Sequence, residues 1–268
     1  MQKMSDEDQT WLRNYVAKVE QEFCSRLGAD RDRFPSYNKL LRKFREAASR
    51  LLERGWPSLS AFDEMHNELC VADGILAKGS DSYCIRLEYE PPLLSCKQSI
   101  DFRATMTDER STHYDVKTIH PVTKDDWQKF ETARDKNHFP DHVNVHLEKE
   151  GLGGELWHNM FTARSKMLEY ALELEAKIKN CGITREEAVC ILVLCSNRFD
   201  WHLDQLEDFV AFYRSGKHSW DDEFARMEKY DMESKNIRLS GTIDEFVYVE
   251  RLPIAVKPRR IIRLVPTP

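Results

Sequence analysis

The fold is decided by the stretch SIDFRATMTDERSTHYDVKTIHP at residues 99–121. Its pattern predicts two short strands joined by a polar turn. Because successive side chains of a strand point to opposite faces, Asp101 of the first strand and Asp115 and Lys117 of the second are expected on one face. An acidic face that carries one lysine is how a strand pair presents a metal site.

The other face of the same strand pair is predicted to be apolar. Ile100 and Phe102 would share it in the first strand, and Tyr114 and Val116 would share it in the second. On the alternation alone, two edge strands with ordinary solvated charges are the better interpretation. A functional interpretation therefore needs further residues.

Composition bounds the classes of protein that fit. The chain has 268 residues, 41% hydrophobic and 32% charged, which indicates one large globular domain or a core with additions at each end. A run of about 18 apolar residues and the apolar core of a signal peptide are both missing, so we expect a cytoplasmic protein without a membrane partner. The net charge of −6 argues against a surface uniformly built for polyanions, but it allows a local basic patch.

The seven cysteines predict neither a disulfide scaffold nor a zinc ribbon. They form no CxxC pair, and their number is odd in a long chain. Cys70, Cys190 and Cys195 lie within apolar runs, where a reduced thiol behaves as a small hydrophobic side chain.

Three helices are predicted before the first strand, at about 5–27, 36–54 and 58–78. The second has a basic outer face, which suits either contact with phosphates or ordinary solvation, with Glu46 and Glu53 as partial counter-charges. That face consists of Lys39, Arg42, Lys43, Arg45 and Arg50. The third helix places Glu68 at the margin of its apolar arc.

The rest of the chain alternates strands and helices. The run AVCILVLC at 188–195 is short, apolar and bounded, which predicts a central strand buried on both faces. A glycine-rich hinge at 151–154 is expected to precede a long helix. The other predicted elements are a strand at 83–89, helices at about 123–137, 155–180, 203–213 and 220–235, and β-strands within 237–265.

Three histidines, His138, His142 and His146, recur at fourfold spacing and raise the hypothesis of a zinc site. Pro140 argues against the continuous helix that this spacing needs. On an extended strand His142 and His146 would share a face, but no third ligand is apparent.

The order of motifs resembles the core of the PD-(D/E)XK nuclease superfamily, also called restriction-endonuclease-like. The matching residues are Glu68 in NELCVADGIL, Asp101 in SIDFRA and the triplet Asp115-Val116-Lys117 in HYDVKTIHP. The resemblance covers roughly residues 60–200. Ile100 stands where the family name has proline, Asp115 replaces the commoner glutamate, and Glu64 is an alternative to Glu68 one helical turn earlier.

The resemblance implies an α/β (α+β) fold with a small mixed sheet flanked by helices. It places the nuclease-like core at 58–200, an N-terminal helical extension at 1–57, and a C-terminal helical and β extension at 201–268. The implied activity is Mg²⁺-dependent hydrolysis of phosphodiester bonds, with Mn²⁺ as a substitute metal and DNA as the expected substrate. A non-catalytic nucleic-acid-binding or interaction module, and a hydrolase of another phosphate ester, are the alternatives.

The resemblance also assigns roles to the residues. Asp101 and Asp115 would bind the metal directly and the Val116 carbonyl would add a third oxygen, while Glu68 would bind a second metal or a metal-bound water. Lys117 would orient or deprotonate the attacking water, or neutralise charge in the transition state. His120 is a candidate phosphate contact. Cutting both strands of a duplex usually needs two sites, which makes a homodimer plausible.

Overall fold

The structure is a computed structural model, and it describes residues 5–77, 83–92, 98–119, 151–196, 203–216, 238–252 and 254–266. The predicted helices at 123–137 and 220–235, the three histidines of the zinc hypothesis and His120 lie outside the described residues. The described helices are α1 (Asp6–Ala29), α2 (Tyr37–Arg54), α3 (Leu59–Leu76), α4 (Gly151–Asn180) and α5 (Leu203–Ser215). The strands are β1 (Cys84–Tyr89), β2 (Phe102–Met106), β3 (Ser111–Ile119), β4 (Ala188–Ser196), β5 (Glu245–Glu250) and β6 (Arg260–Leu264).

The six strands form one mixed sheet in the order β1-β2-β3-β4-β5-β6. Strand β2 is antiparallel to both β1 and β3. Strand β4 is parallel to both β3 and β5, and β6 is antiparallel to β5. Parallel neighbours need crossover connections, and the one between β3 and β4 includes α4. The predicted α/β fold with a mixed sheet is therefore confirmed, and the C-terminal strands belong to the same sheet as the core.

Helices cover both faces of the sheet. Helices α1, α2 and α3 pack on one face and α4 and α5 on the other, each with its own hydrophobic cluster. Strand β4 contributes to both clusters because its side chains alternate, which confirms the predicted central strand. Ile191, Val193 and Cys195 face α1–α3, whereas Cys190, Leu192 and Leu194 face α4 and α5.

Strands β2 and β3 form the predicted pair around a turn at 107–110. Phe102 pairs with Tyr114, and the same register continued by one residue brings Asp101 opposite Asp115. The prediction that Ile100 shares a face with Phe102 is wrong. Ile100 packs with Cys181 after the end of α4, whereas Phe102 joins the α1–α3 cluster, because regular strand geometry begins only at Phe102.

The predicted glycine hinge is also wrong, because α4 already begins at Gly151. Each glycine lowers helix stability by only about 1 kcal/mol relative to alanine, which a helix of 30 residues can absorb.

Cys70, Cys190 and Cys195 are free and buried, as predicted. Cys181 is disulfide-bonded, whereas the other cysteines among the described residues are free. Because disulfides are typical of oxidising compartments, this bond does not support the cytoplasmic prediction. Within the described ranges, none of the helices combines the length and apolar character needed to cross a membrane.

Candidate functional site

The predicted site residues meet where β2 and β3 approach α3 and α4. A cavity of about 310 Å³ opens at this place. It is lined by Glu64 and Glu68 from α3, Val116, Lys117 and Thr118 from β3, and Tyr170 and Glu173 from α4. Three separate elements of the core therefore contribute polar groups to one cavity.

Asp115 is the most buried acidic residue of the site, with no exposed surface. Lys177 on α4 donates a hydrogen bond from Nζ to its Oδ1 atom at 2.5 Å, and Lys117 Nζ lies 3.6 Å from its Oδ2 atom. The Oδ2 atom is buried and accepts no hydrogen bond. A buried oxygen in this state is unusual in folded proteins, and a bound ion is one of its physical explanations.

Asp101 lies next to Asp115 and is held by the backbone of β3. Its Oδ2 atom accepts a hydrogen bond from the Val116 N–H at 2.6 Å. Burial and the negative charge of Asp115 raise the pKa of Asp101 to about 6, although the Val116 amide and the two lysines oppose the shift. The two carboxylates are thus close enough to repel each other, as expected for residues that share a cation.

Glu68 reaches the same place from α3. Its Oε2 atom is buried without a hydrogen-bond partner, and Tyr89 hydrogen-bonds to the carboxyl group. Burial, together with the charge of Asp101, raises the pKa of Glu68 to about 8. Glu64 also lines the cavity but its side chain is exposed. The structure therefore favours Glu68 over Glu64 as the helix carboxylate of the site.

Lys117 lies between two acidic groups. Its Nζ atom donates to Glu173 Oε2 at 2.5 Å, faces Asp115, and lies 5.4 Å from the centre of the Tyr170 ring. Burial lowers the pKa of Lys117, but the attraction of the Asp115 and Glu173 carboxylates outweighs it and leaves the pKa raised. A lysine that stays protonated stabilises negative charge and is a poor proton acceptor.

Three residues of α4 were not found by sequence reasoning: Tyr170, Glu173 and Lys177. They follow one another at i, i+3 and i+7, which puts them on one face of the helix. The usable signal was this polar stripe beside the apolar positions Leu174 and Ile178. Because the sequence does not show the partners of these residues, the stripe is typical of the ordinary solvated edge of an amphipathic helix.

The donor chemistry suits a hard divalent cation. Asp115 and Glu68 each keep one buried oxygen without a hydrogen-bond partner, and carboxylate oxygens are the ligands that Mg²⁺ and Mn²⁺ prefer. Among the described residues, however, no three His, Cys, Asp or Glu side chains converge closely enough to form a metal site as they stand. Lys177 holds one oxygen of Asp115 in its present position, so side-chain adjustment has to accompany metal binding.

Comparisons with protein-family models, with curated proteins and with solved structures found no significant match. We call Glu68, Asp101, Asp115, Lys117 and Lys177 the Asp115 cluster.

A second polar group, the Arg251 cluster, lies deeper between α1, α3 and the end of β5. It consists of Tyr15, Asp63, His66, Asn67 and Arg251. Arg251 is 1% exposed and donates to Asn67 Oδ1 at 3.1 Å, to the Tyr15 hydroxyl at 3.0 Å and to Asp63 Oδ1 at 2.5 Å. The arrangement is fixed by its polar contacts on every side.

His66 and Asn67 of the Arg251 cluster are hydrogen-bonded as well. His66 Nε2 lies 2.8 Å from the Val256 carbonyl, so it carries the proton, and Nδ1 accepts from the Tyr15 hydroxyl at 3.3 Å. Asn67 Nδ2 donates to Thr118 Oγ1 at 2.9 Å. Burial and the nearby positive charge of Arg251 lower the pKa of His66 well below its ordinary value, which keeps the ring neutral.

Proposed function

We propose that the protein is a metal-dependent nuclease of the PD-(D/E)XK type that hydrolyses phosphodiester bonds in DNA. One observation carries the proposal. Glu68 on α3, Asp101 directly before β2 and Asp115 on β3 approach one another, and two of these carboxylates have a buried oxygen without a hydrogen-bond partner. Buried carboxylate oxygens without hydrogen bonds are unfavourable, and a bound cation would relieve that cost.

The order of elements supports the proposal. Helix α3 with Glu68 precedes β1, then come β2 with Asp101 at its start, β3 with the Asp115-Val116-Lys117 triplet, α4 and β4. This is the order of the core that the sequence resembles. Order by itself indicates a fold type, so the proposed function depends on the side chains of the Asp115 cluster, of which Glu68 and Lys117 also line the cavity.

We assign different chemical roles to the carboxylates and to Lys117. Asp101, Asp115 and Glu68 would hold Mg²⁺, with the Val116 carbonyl as a further ligand, and the bound metal would activate water and stabilise charge on the phosphate. Lys117, kept protonated by its acidic neighbours, would offset negative charge that develops on the phosphoryl oxygens. Its raised pKa favours this role over deprotonation of the water.

Lys177 favours a second candidate function, a nucleic-acid-binding or interaction module that does not cut. Its ammonium group already neutralises Asp115 at 2.5 Å, and a permanent internal cation would replace the metal. Binding of Mn²⁺ separates the two functions because only the nuclease needs it.

The test is DNA cleavage together with a direct measurement of metal binding. Purified protein is incubated with single-stranded DNA, duplex DNA and RNA in Mg²⁺ or Mn²⁺, and Mn²⁺ binding is measured by calorimetry. We expect Asp115→Asn to lower metal affinity at least tenfold and cleavage about a hundredfold or more, and Lys117→Met to lower cleavage with a much smaller effect on metal binding. Asp108→Asn, in the exposed β2–β3 turn, is the matched control.

The outcomes discriminate among the candidates. Cleavage that persists in Asp115→Asn would refute the proposed site, and DNA binding with neither Mn²⁺ binding nor cleavage would support the non-catalytic module. Cleavage of RNA alone would correct the substrate. For a duplex substrate we propose a homodimer, since two strands need two sites, and the mass of the protein in solution tests this directly.

A further inference from the structure

The basic side chains of α2 differ in where their acidic partners lie. Arg45 pairs with Glu20 and Arg42 with Glu46, both within the α1–α2 layer. Lys39 and Lys43, one turn apart, instead converge on the single carboxylate of Glu90, directly after β1. The Lys39 Nζ atom lies 3.1 Å from Glu90 Oε2 and also donates to the Glu90 carbonyl at 3.2 Å.

Glu90 adopts a backbone conformation that a glutamate rarely takes. Its φ is 44°, in the left-handed region, and its N–H donates to the Asp101 carbonyl at 2.7 Å. Strained residues of this kind cluster at functional sites, where the surrounding structure holds them in place. The Glu90 carboxylate is thus held between two lysines, and the Glu90 backbone is hydrogen-bonded to Asp101 of the Asp115 cluster.

The lysine pair is linked to the site through Tyr89. The Nζ atoms of Lys39 and Lys43 lie 5.7 Å and 5.5 Å from the centre of the Tyr89 ring. Tyr89 hydrogen-bonds to Glu68, and the charge of Lys43 acts on Glu68 as well. A polymer with a reacting phosphate at the Asp115 cluster would therefore pass close to this pair.

We propose that Lys39 and Lys43 bind a backbone phosphate of the nucleic-acid substrate, and that Glu90 occupies this anion site in the substrate-free protein. Two ammonium groups face one carboxylate, so the site keeps one excess positive charge when Glu90 fills it. A phosphodiester carries the same single negative charge as a carboxylate, and it can replace Glu90 without a change of charge. The choice of a nucleic acid as the ligand rests on the proposed function.

The test measures binding without cleavage. A fluorescein-labelled DNA duplex is titrated in EDTA at several salt concentrations, and anisotropy gives the affinity. We expect Lys39→Gln/Lys43→Gln to weaken binding roughly fivefold to tenfold near 0.15 M salt and to reduce the slope of log affinity against log salt by about 1, which corresponds to one phosphate contact. The control Arg42→Gln/Arg45→Gln removes the same charge from the same helix and should have a much smaller effect.

Glu90→Gln gives the sharper prediction, because it frees the lysine pair. We expect this variant to bind DNA more tightly than the parent, and the gain to disappear in the triple variant with Lys39→Gln and Lys43→Gln. Impaired folding cannot produce a gain in affinity. Lys39→Arg/Lys43→Arg should restore most of the binding.

Several results would overturn the inference: equal losses in the lysine and arginine double variants, no gain in Glu90→Gln, or no DNA binding by the parent protein in EDTA. Failure of the proposed function is distinguishable. If the protein never cleaves but the lysine pair still sets the salt slope, the phosphate site stands and the nuclease assignment falls. If it cleaves DNA and the lysine pair has no effect on binding, the phosphate site alone is wrong.

Discussion

The two polar clusters of the molecule lie on neighbouring parts of the fold but differ in how completely they are paired. In the Arg251 cluster the guanidinium group, the Tyr15 hydroxyl, both nitrogens of His66 and the Asn67 amide have partners. In the Asp115 cluster, Asp115 and Glu68 each keep a buried oxygen without a hydrogen-bond partner, and Lys117 Nζ lies 3.6 Å from the one on Asp115.

This difference in hydrogen bonding indicates a structural role for the Arg251 cluster and a functional role for the Asp115 cluster. Buried polar groups that are fully hydrogen-bonded rigidify a core, whereas unpaired groups lower stability and persist where a ligand or reaction uses them. Asn67 and Glu68 are adjacent in α3, so one helix supplies both clusters. The comparison predicts that substitutions in the Arg251 cluster mainly lower stability and that those in the Asp115 cluster mainly change binding and chemistry.

The largest expected effect comes from Arg251→Met. The substitution leaves Asp63, Asn67 and the Tyr15 hydroxyl without their common donor, so we expect the free energy of unfolding to fall by about 3–5 kcal/mol. Urea unfolding measures it, and Arg259→Met, an exposed position nearby, is the control. A loss below about 1 kcal/mol would contradict the structural role of this cluster.

Lys177→Met should have a smaller effect that a metal partly reverses. Asp115 would lose its closest counter-charge and keep only Lys117, so we expect a loss of about 1–3 kcal/mol in EDTA. Added Mn²⁺ should restore part of this stability and should stabilise the variant more than the parent protein. Lys179→Met, exposed on the same helix, is the control, and the absence of any Mn²⁺ effect in the variant would weaken the metal assignment.

Glu68→Gln should change how stability depends on pH. Burial raises the Glu68 pKa from 4.5 to about 8, so across that window the folded state holds a proton that the unfolded state has lost. Stability conferred by the protonated form is therefore lost as pH rises through the window, by at most about 1.4 kcal/mol per pH unit.

The variant lacks this titrating carboxyl group. Between pH 6 and pH 7 its free energy of unfolding should therefore fall by about 1 kcal/mol less than that of the parent protein. Urea unfolding in EDTA at a series of pH values measures the effect. An unchanged profile would show that Glu68 is ionised in the folded protein at neutral pH, and the contrast between the two clusters would then rest on Asp115 alone.

Much of the fold was predictable because local patterns coincide with tertiary roles. The run at 188–195 is apolar on both faces because β4 lies between two helical layers, and Asp115 and Lys117 share a face because β3 is regular. The alternation of side chains gave the wrong orientation for Ile100, which lies two residues before β2 begins. Strand periodicity predicts orientation only where backbone pairing imposes it.

The candidate site was predictable only in part. Acidic residues on strands stand out in a sequence, so Asp101 and Asp115 were found from spacing and resemblance. Lys177 was not, because its partner is 62 residues away and its own helix gives no sign of a buried carboxylate opposite. The phosphate-binding hypothesis for α2 covered five cations, and only the fold distinguishes Lys39 and Lys43 from those that pair within the helical layer.

The Arg251–Tyr15 hydrogen bond joins residues 236 positions apart, and this separation constrains how the protein matures. At a synthesis rate of about 5–20 residues per second, Tyr15 and Arg251 leave the ribosome on the order of 10–50 s apart. During that interval α1 and α3 exist without the side chain that pairs their inward polar groups. We therefore expect an early N-terminal intermediate that is open to proteases and chaperones, and a late step, the docking of β5, that closes the interior of the protein.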